Sequence, residues 1–326
     1  MARRGRPPKE RHELGVADLI GLGFLAALCP PERVDAVLRE TDRLERRKRL
    51  LPSRVVVYYV LAMALYAREG YRELYRLLVE GLRSVDPTLP LVVPQKSAFS
   101  KARERVGSEP LRRLFERTAE PVASPETPGA FYGEWRVMSL DGSTLEVPDT
   151  AANDEYFGRP PVSRGERSAY PRLRWVALGE VGARAIVGLE AGPYGWDETR
   201  LARPLLEWLG PGMLCLCDRK FYGFDLWEAA RRGGADLLWR IKKNLVFPAE
   251  RTFPDGSYLS RARPSERERR KSHPGVPVRV IDYRLDDAGR PTAEPLYRLV
   301  TTITDPERAP AHELAALYAE RWEVEI

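Results

Sequence analysis

The segment WRVMSLDGSTLEV, residues 135–147, decides the fold of this chain. Before it, apolar residues recur at the spacing of helices, whereas within and after it short apolar runs are separated by turn residues, as in strands. Between the two patterns lies ASPETPGAF, residues 123–131, whose Pro, Gly and small residues are typical of a linker. We therefore predict a helical N-terminal domain over residues 16–128 and a second domain over residues 129–326.

Further runs follow this segment in the order strand, strand, helix, strand, helix, strand. The strand-like runs are residues 173–182, 184–192, 212–221 and 235–244, and the helix-like runs are residues 198–209 and 224–234. This order predicts an α/β fold in which helices flank a mixed sheet. Residues from about 245 to 310 contain two more strand-like runs, and we interpret them as a β-rich insertion before a final helix that begins near Pro310.

The composition excludes several classes of protein. Three cysteines and three scattered histidines among 326 residues form neither a disulfide framework nor a zinc pattern. The N-terminus has no secretory signal, and the longest apolar run, residues 55–66, is shorter than the roughly 20 residues that cross a bilayer. We expect a cytoplasmic protein without a membrane partner. The net charge of +6 is compatible with a nucleic-acid partner but does not establish one.

Two aspartates stand out by position, since one lies inside an apolar strand-like run and the other closes such a run. Asp141 follows VMSL and Asp218 follows LCLC. A carboxylate beside a buried strand is costly unless it is paired or bound to a cation. If the two strands are neighbours, the carboxylates converge, and a divalent metal relieves their repulsion, which is roughly 4 kcal/mol at 4 Å and an effective dielectric constant of 20. Strand-end capping or a salt bridge, such as Asp218 with Arg219, is the alternative for either residue alone.

The final helix carries a third candidate acid. At about 100° per residue, Tyr318, Arg321 and Glu325 fall within about 60° of one another, on the same side as Leu314. Three other acids fall on the opposite side: Glu313, Glu320 and Glu323. An inward Tyr, Arg and Glu is more than a packing face requires, although a structural pair of Arg321 with Glu325 at i, i+4 is the simpler alternative.

These motifs together resemble a family. SLDGS at residues 139–143, CDRKFYG at residues 217–223 and the spacing Tyr318-x-x-Arg321-x-x-x-Glu325 resemble the bacterial DDE transposases of the insertion-sequence-four family. The resemblance covers most of the chain, because RRKRLLPSRVVVYYVLAMALY and VPQKSAFSKARERVGSEPLRRLFE resemble the N-terminal domain of that family.

The resemblance implies an RNase H-like catalytic domain in which Asp141, Asp218 and Glu325 are the catalytic acids and the ligands of two Mg²⁺ ions, with Mn²⁺ as a substitute. It implies hydrolysis at transposon ends followed by strand transfer into target DNA, with Tyr318 and Arg321 contacting phosphates near the cut. The implied partners are double-stranded DNA, as inverted-repeat ends and as target, and a second copy of the chain in a synaptic complex. A nucleoid-associated protein without a small-molecule substrate is expected.

The chain departs from the family at its end. The family pattern continues with a Lys or Arg after six further residues, whereas this sequence stops one residue after Glu325. We interpret this as a C-terminal truncation and expect weak or no transposition by this polypeptide alone. A non-catalytic DNA-binding fragment, acting as an inhibitor or a remnant of a transposase, is the alternative; it shows a salt dependence but needs no Mg²⁺.

Further basic residues are candidates for DNA binding. The basic tail, residues 1–15, contains RRGRPPK, which resembles an AT-hook with Arg4 and Arg6 in a narrow minor groove. A disordered tail with non-specific phosphate attraction is the other interpretation. Lys242 and Lys243 are candidates for lining a DNA channel, and a solvated strand end is their alternative.

Other features are assigned to packing. The helix pair at residues 97–118, joined by Gly and Ser, has the form of a DNA-binding pair, but we favour an ordinary helical hairpin with a solvated face. Cys215 and Cys217 alternate along one strand and are expected to pack in the core. Trp239 is a candidate for stacking on a flipped base, but core packing is favoured.

Overall fold

The computed structural model describes residues 25–47, 49–83, 92–161, 168–264, 274–284 and 296–321. The chain divides into two compact units, residues 1–119 and 120–326. The domain boundaries given by the sequence stay a prediction. Arg4, Arg6 and Glu325 lie outside the described residues.

The first unit is helical. Besides the helical residues 25–28, its described helices are α1 (Pro31–Glu40), α2 (Ser53–Leu65), α3 (Tyr71–Leu82), α4 (Lys96–Val106) and α5 (Glu109–Thr118). Phe99 of α4 stacks on Tyr59 of α2 at 5.0 Å and meets Tyr75 of α3 edge-on at 5.5 Å, which joins three helices at one core. Helix α2 buries most of its apolar residues in this core. No helix within the described ranges is both long enough and apolar enough to span a bilayer.

Helix α1 is shorter than expected from PPERVDAVLRETDRLERRKRLL, residues 30–51, whose apolar spacing is helical. The helical pattern continues past Glu40, but α1 ends there. Asp42 adopts a left-handed conformation with φ of 55°, and the N–H of Arg43 returns to the carbonyl of Leu38 at 2.7 Å. These local hydrogen bonds satisfy the carbonyl groups at the end of the helix, and the described residues that follow, 41–47 and 49–52, form no regular secondary structure.

Helices α4 and α5 form the predicted hairpin. Gly107 between them has φ of 72°, a conformation that favours glycine. Ser108 takes the N-cap position of α5, but its side chain makes no capping hydrogen bond. The arginines of α5 are ion-paired, in the pairs Arg112–Glu109, Arg112–Glu116, Arg113–Glu109 and Arg117–Glu40. This pairing favours a solvated charged face over a DNA-reading one.

The second unit is built on one mixed sheet. Its strands are β1 (Phe131–Tyr132), β2 (Trp135–Glu146), β3 (Arg172–Glu180), β4 (Ala185–Pro193), β5 (Met213–Cys217), β6 (Asp236–Arg240), β7 (Arg251–Thr252), β8 (Tyr258–Ala262), β9 (Val276–Tyr283) and β10 (Tyr297–Thr301). Their order is β4-β3-β2-β5-β6-β10-β9-β8-β7, with β1 beside β2. Strand β5 is parallel to both β2 and β6. The strands of the predicted β-rich insertion, β7 to β10, therefore extend the same sheet.

Helices cover this sheet on both faces. They are α6 (Ala151–Phe157), α7 (Glu198–Leu205), α8 (Phe224–Arg232) and α9 (Ala311–Glu320). Helices α7 and α8 share an apolar core with one face, and α9 shares a second core with the other. This arrangement confirms the predicted mixed sheet with flanking helices. Helix α6 was not predicted because none of its seven residues is buried; Thr150 caps it by accepting a hydrogen bond from the N–H of Asn153.

Candidate active site

The two candidate aspartates lie side by side where the pairing of β2 with β5 ends. The last partners in that parallel pairing are Leu140 and Cys217, and Asp141 and Asp218 each come one residue later. Asp141 lies within β2, which continues beside β3 to Glu146, whereas Asp218 follows the end of β5. The parallel register therefore brings together two acids that are far apart in the sequence.

The two aspartates also share a face of the sheet. Val137 of β2 and Leu216 of β5 pack in the apolar core beneath α9. Side chains alternate along a strand, so Asp141, four residues after Val137, and Asp218, two after Leu216, project towards α9. Cys217 projects to the opposite face.

The end of α9 contacts both strands next to these aspartates. The hydroxyl of Tyr318 donates to the carbonyl of Cys217 at 3.2 Å, one residue before Asp218. Arg321 Nη1 donates to Oδ2 of Asp141 at 3.0 Å. The arginine side chain is 1% exposed and that of Asp141 is 24% exposed. Leu314, Tyr318 and Arg321 are thus buried as the helical spacing predicted.

The environment of the site raises the pKa values of both Arg321 and Tyr318. Burial works against the charge of Arg321, but Tyr318, Asp141 and Asp218 favour it, and the pKa of the guanidinium is raised. Burial also raises the pKa of Tyr318, which Arg321 opposes only in part. At neutral pH the site therefore holds a charged arginine and a neutral tyrosine hydroxyl that donates a hydrogen bond.

Gly142 lets a helix approach from the opposite face. A Cβ at this position would lie 3.1 Å from the carbonyl oxygen of Trp175 and 3.4 Å from the carboxyl carbon of Glu198. Glu198 begins α7, is buried, and accepts a hydrogen bond from Arg174 at 2.7 Å. The N–H of Gly142 itself donates to Oδ1 of Asp141 at 2.8 Å. The glycine therefore both orients the aspartate and admits the helix behind it.

Arg240 is a site residue that sequence reasoning missed. Cys217 pairs with Trp239 in the parallel register of β5 and β6, so Arg240 stands beside Asp218 at the strand ends. Its guanidinium lies over the ring of Tyr297 at 4.6 Å, and its charge lowers the pKa of Tyr318. The sequence feature that could have identified Arg240 is its position at the end of an apolar run, as Asp218 also ends an apolar run.

The remaining candidates divide between surface and core. Lys242 and Lys243 are exposed just beyond Arg240. Trp239 is fully buried and meets Trp227 edge-on at 5.2 Å, so it packs in the core, as favoured. Cys215 and Cys217 are also buried in that core. Burial and its neighbours Cys215 and Asp141 raise the pKa of the Cys217 thiol, whereas the charge of Arg321 lowers it.

A second buried arginine holds the start of α9. Arg279 on β9 donates to Oδ2 of Asp255 at 2.6 Å, to Oγ of Ser257 at 2.7 Å and to the carbonyl of Ala309 at 2.6 Å. The same Oδ2 accepts from the N–H of Ala311, the first residue of α9, at 3.1 Å. We call these residues the helix clamp. It fixes the beginning of the helix whose end meets Asp141.

The donors at this edge fit a hard cation. Asp141 and Asp218 offer carboxylate oxygens, whereas the nearest thiol, that of Cys217, faces the other side. Carboxylates are ligands that Mg²⁺ prefers, and zinc sites favour Cys and His. Within the described residues, no group of at least three His, Cys, Asp or Glu side chains is arranged as a metal site. The third predicted ligand, Glu325, lies outside those residues.

Comparison with known proteins gives two family matches. The model described as insertion element 4 transposase N-terminal matches residues 19–116, and the model described as transposase DDE domain matches residues 136–326, more than half of the chain. The chain is 29% identical over 310 residues to transposase InsG for insertion sequence element IS4 of Escherichia coli strain K12, covering 94% of this chain and 67% of that protein. It is 27% identical over 218 residues to the putative transposase InsZ of the same organism, covering 67% of this chain and 70% of that protein.

Proposed function

This chain belongs to the DDE transposases with an insertion element 4 N-terminal region, and from that premise we propose that it cleaves and transfers DNA strands at the ends of an insertion sequence in a metal-dependent reaction. The DDE domain implies the RNase H-like fold, which the mixed sheet with flanking helices confirms. One observation carries the proposal. Asp141 in β2 and Asp218 after β5 lie side by side where these parallel strands stop pairing, and both face the helix that brings Arg321 to Asp141.

DDE transposase domains use divalent metal ions. We propose Asp141, Asp218 and Glu325 as the ligands of two Mg²⁺ ions, for which Mn²⁺ substitutes. When bound, such ions supply an activated water and stabilise the leaving 3′ oxygen. The all-oxygen character of the described donors supports this choice of metal.

The guanidinium groups of Arg321 and Arg240 are proposed to bind the DNA phosphate at the cleavage site. Arg321 offsets the charge of Asp141 in this structure, and its forked donors suit a phosphate oxygen. Arg240 stands on the other side of Asp218 and is proposed to share that contact. Tyr318 is proposed to act at the same place; its hydroxyl donates to Cys217, so its first effect is to hold α9 against the strand of Asp218.

Family membership implies DNA binding, and the finer partners are proposals. We propose inverted-repeat ends and target DNA as ligands, a homodimer in a synaptic complex, and a cytoplasmic, nucleoid-associated location. The exposure of Lys242 and Lys243 beside the candidate site supports a path for the DNA backbone there. Arg4 and Arg6 are proposed as minor-groove contacts.

The test is cleavage of labelled duplexes that carry the end sequences of the element encoding this protein. We expect nicking with Mn²⁺ or Mg²⁺ and none in EDTA. Because bound metal supplies several kcal/mol of transition-state stabilisation, Asp141→Asn and Asp218→Asn should each lower the rate at least about a hundredfold. Mn²⁺ binding, followed by electron paramagnetic resonance, should weaken in both variants.

The matched control is Asp282→Asn. Asp282 is an aspartate of the same sheet whose side chain, 28% exposed, pairs with Arg298 and lies away from Asp141 and Asp218. Its replacement should leave cleavage within about twofold. Cleavage that persists in Asp141→Asn would overturn the assignment of the acids. Metal-independent binding of the ends without cleavage would instead establish a non-catalytic DNA-binding protein.

A further inference from the structure

The loop between α1 and α2 concentrates positive charge. Residues 41–47 and 49–52, which we call the arginine loop, expose the side chains of Arg43, Arg46, Arg47 and Arg49. The loop contains two acids, Asp42, which is exposed, and Glu45. Exposed arginines at this density form an anion-binding surface if no carboxylate neutralises them.

Glu45 does not neutralise them because it points inward. Its Oε1 accepts hydrogen bonds from the backbone N–H of Ser53 at 2.6 Å and from the Ser53 hydroxyl at 2.7 Å, and Arg105 lies 3.5 Å away. The carboxylate therefore caps the start of α2, where a negative charge is favourable. The charge of Glu45 is therefore used inside the unit, whereas the arginines of the loop are exposed to solvent.

The loop is also held in shape. Arg105 donates to the carbonyl of Leu51 at 2.7 Å, and the Leu51 side chain is buried. At the other end, the N–H of Arg43 returns to Leu38 at 2.7 Å. A surface whose backbone is already fixed loses less conformational entropy on binding than a free basic tail does.

Several other arginines of the first unit differ from those of the loop because they form ion pairs. Arg54, Arg76, Arg112, Arg113 and Arg117 all pair with carboxylates. Among the described residues, no carboxylate lies within ion-pair distance of Arg43, Arg46, Arg47 or Arg49. Their charge is therefore available to an outside anion.

We propose that the arginine loop binds the phosphate backbone of duplex DNA without reading its sequence. From Arg46 to Arg49 the chain spans at most about 11 Å, and one strand of B-DNA presents a phosphate roughly every 3.4 Å along its axis. The loop therefore matches about three phosphates. Only the choice of DNA as the polyanion rests on the proposed function.

The experiment measures binding of the full chain to a fluorescent duplex of mixed sequence in EDTA, at several salt concentrations, by anisotropy. EDTA removes the metal, so the result does not depend on cleavage, and a failure of the proposed catalytic function leaves this test intact. We compare the wild type with R46A/R47A/R49A. Three lost phosphate contacts should reduce the slope of log affinity against log salt by about 2.7, at about 0.9 per contact.

The matched control is R112A/R113A/R117A, which removes the same charge from ion-paired arginines of the same unit. It should keep the wild-type slope within about 0.5. The variant R46K/R47K/R49K keeps the charge and should retain most of the slope, and thermal melting verifies that each variant folds. An equal loss in the control would show that net charge alone acts, and an unchanged slope in R46A/R47A/R49A would remove the site. A loss seen on duplex RNA but not on DNA would overturn the choice of ligand.

Discussion

Replacing Arg279 by methionine should destabilise the second unit strongly. The Arg279 side chain is 0% exposed and that of Asp255 is 22% exposed, so their ion pair is largely shielded from water. Removing one partner of a buried pair costs about 3–5 kcal/mol, and partial exposure of Asp255 places the expected loss near the lower limit, at about 3 kcal/mol. For a unit of this size, each kcal/mol lowers Tm by about 2–4 °C, so Tm should fall by about 6–12 °C.

Differential scanning calorimetry measures this change, and Arg261→Met is the control. Arg261 pairs with Glu250 on the same sheet, with side chains 37% and 48% exposed. Surface pairs contribute about 0–1 kcal/mol, so Tm of the control should change by at most about 4 °C. Equal shifts for Arg279→Met and Arg261→Met would refute the view that the helix clamp holds α9. A cycle with Asp255→Asn should give a coupling free energy of about 0.5–3 kcal/mol, since the two groups are in contact.

Two further predictions concern the same sheet. Gly142→Ala should lower the free energy of unfolding by about 1–3 kcal/mol, because the new Cβ lies 3.1 Å from the carbonyl oxygen of Trp175; urea titration measures the loss, and an unchanged midpoint would contradict it. Burial raises the pKa of Asp255, but hydrogen bonds from Ser257 and Ala311 and the charge of Arg279 outweigh it, so the pKa is lowered. The stability that this carboxylate contributes is present above its ordinary pKa of about 3.9 and is lost as pH falls through the lower pKa of the folded state. The free energy of unfolding of Asp255→Asn should therefore approach that of the wild type in acid. A difference in this free energy that stays constant down to about pH 2 would argue against this.

The acids of the site were predictable because each interrupts an apolar run. Asp141 and Asp218 are costly where they stand, and this cost is visible in the sequence alone. That the two aspartates are neighbours could not be predicted from local sequence, because the residues of β2 do not indicate that their parallel partner strand begins at Met213. The family resemblance supplied that pairing, and the strand register then placed the acids together.

Residues that act through register or distant partners were missed. Arg240 is significant only because β6 pairs with β5 one residue short of it. Arg279 lies in a strand whose apolar and polar residues alternate as expected. Its buried position is stable only because the pairing of β8 with β9 brings Asp255, 24 residues earlier in the chain, next to it. The end of α1 was misplaced for the opposite reason, since local hydrogen bonds near Asp42 overrode a helical pattern.

Within the described residues, the fully buried arginines are Arg279 and Arg321, and both hold α9. Arg279 meets the carbonyl just before the helix and the acid that caps it, whereas Arg321 meets Asp141 across 180 residues of sequence. Burying a charge is costly, and apolar side chains of the same size often stabilise a fold as well or better. Apolar packing, however, tolerates sliding of a helix along a sheet, whereas ionic hydrogen bonds are directional. Contacts at both ends therefore fix how far along the sheet the helix lies. The position of α9 along the sheet decides whether Tyr318 and Arg321 reach the place where Asp141 and Asp218 converge.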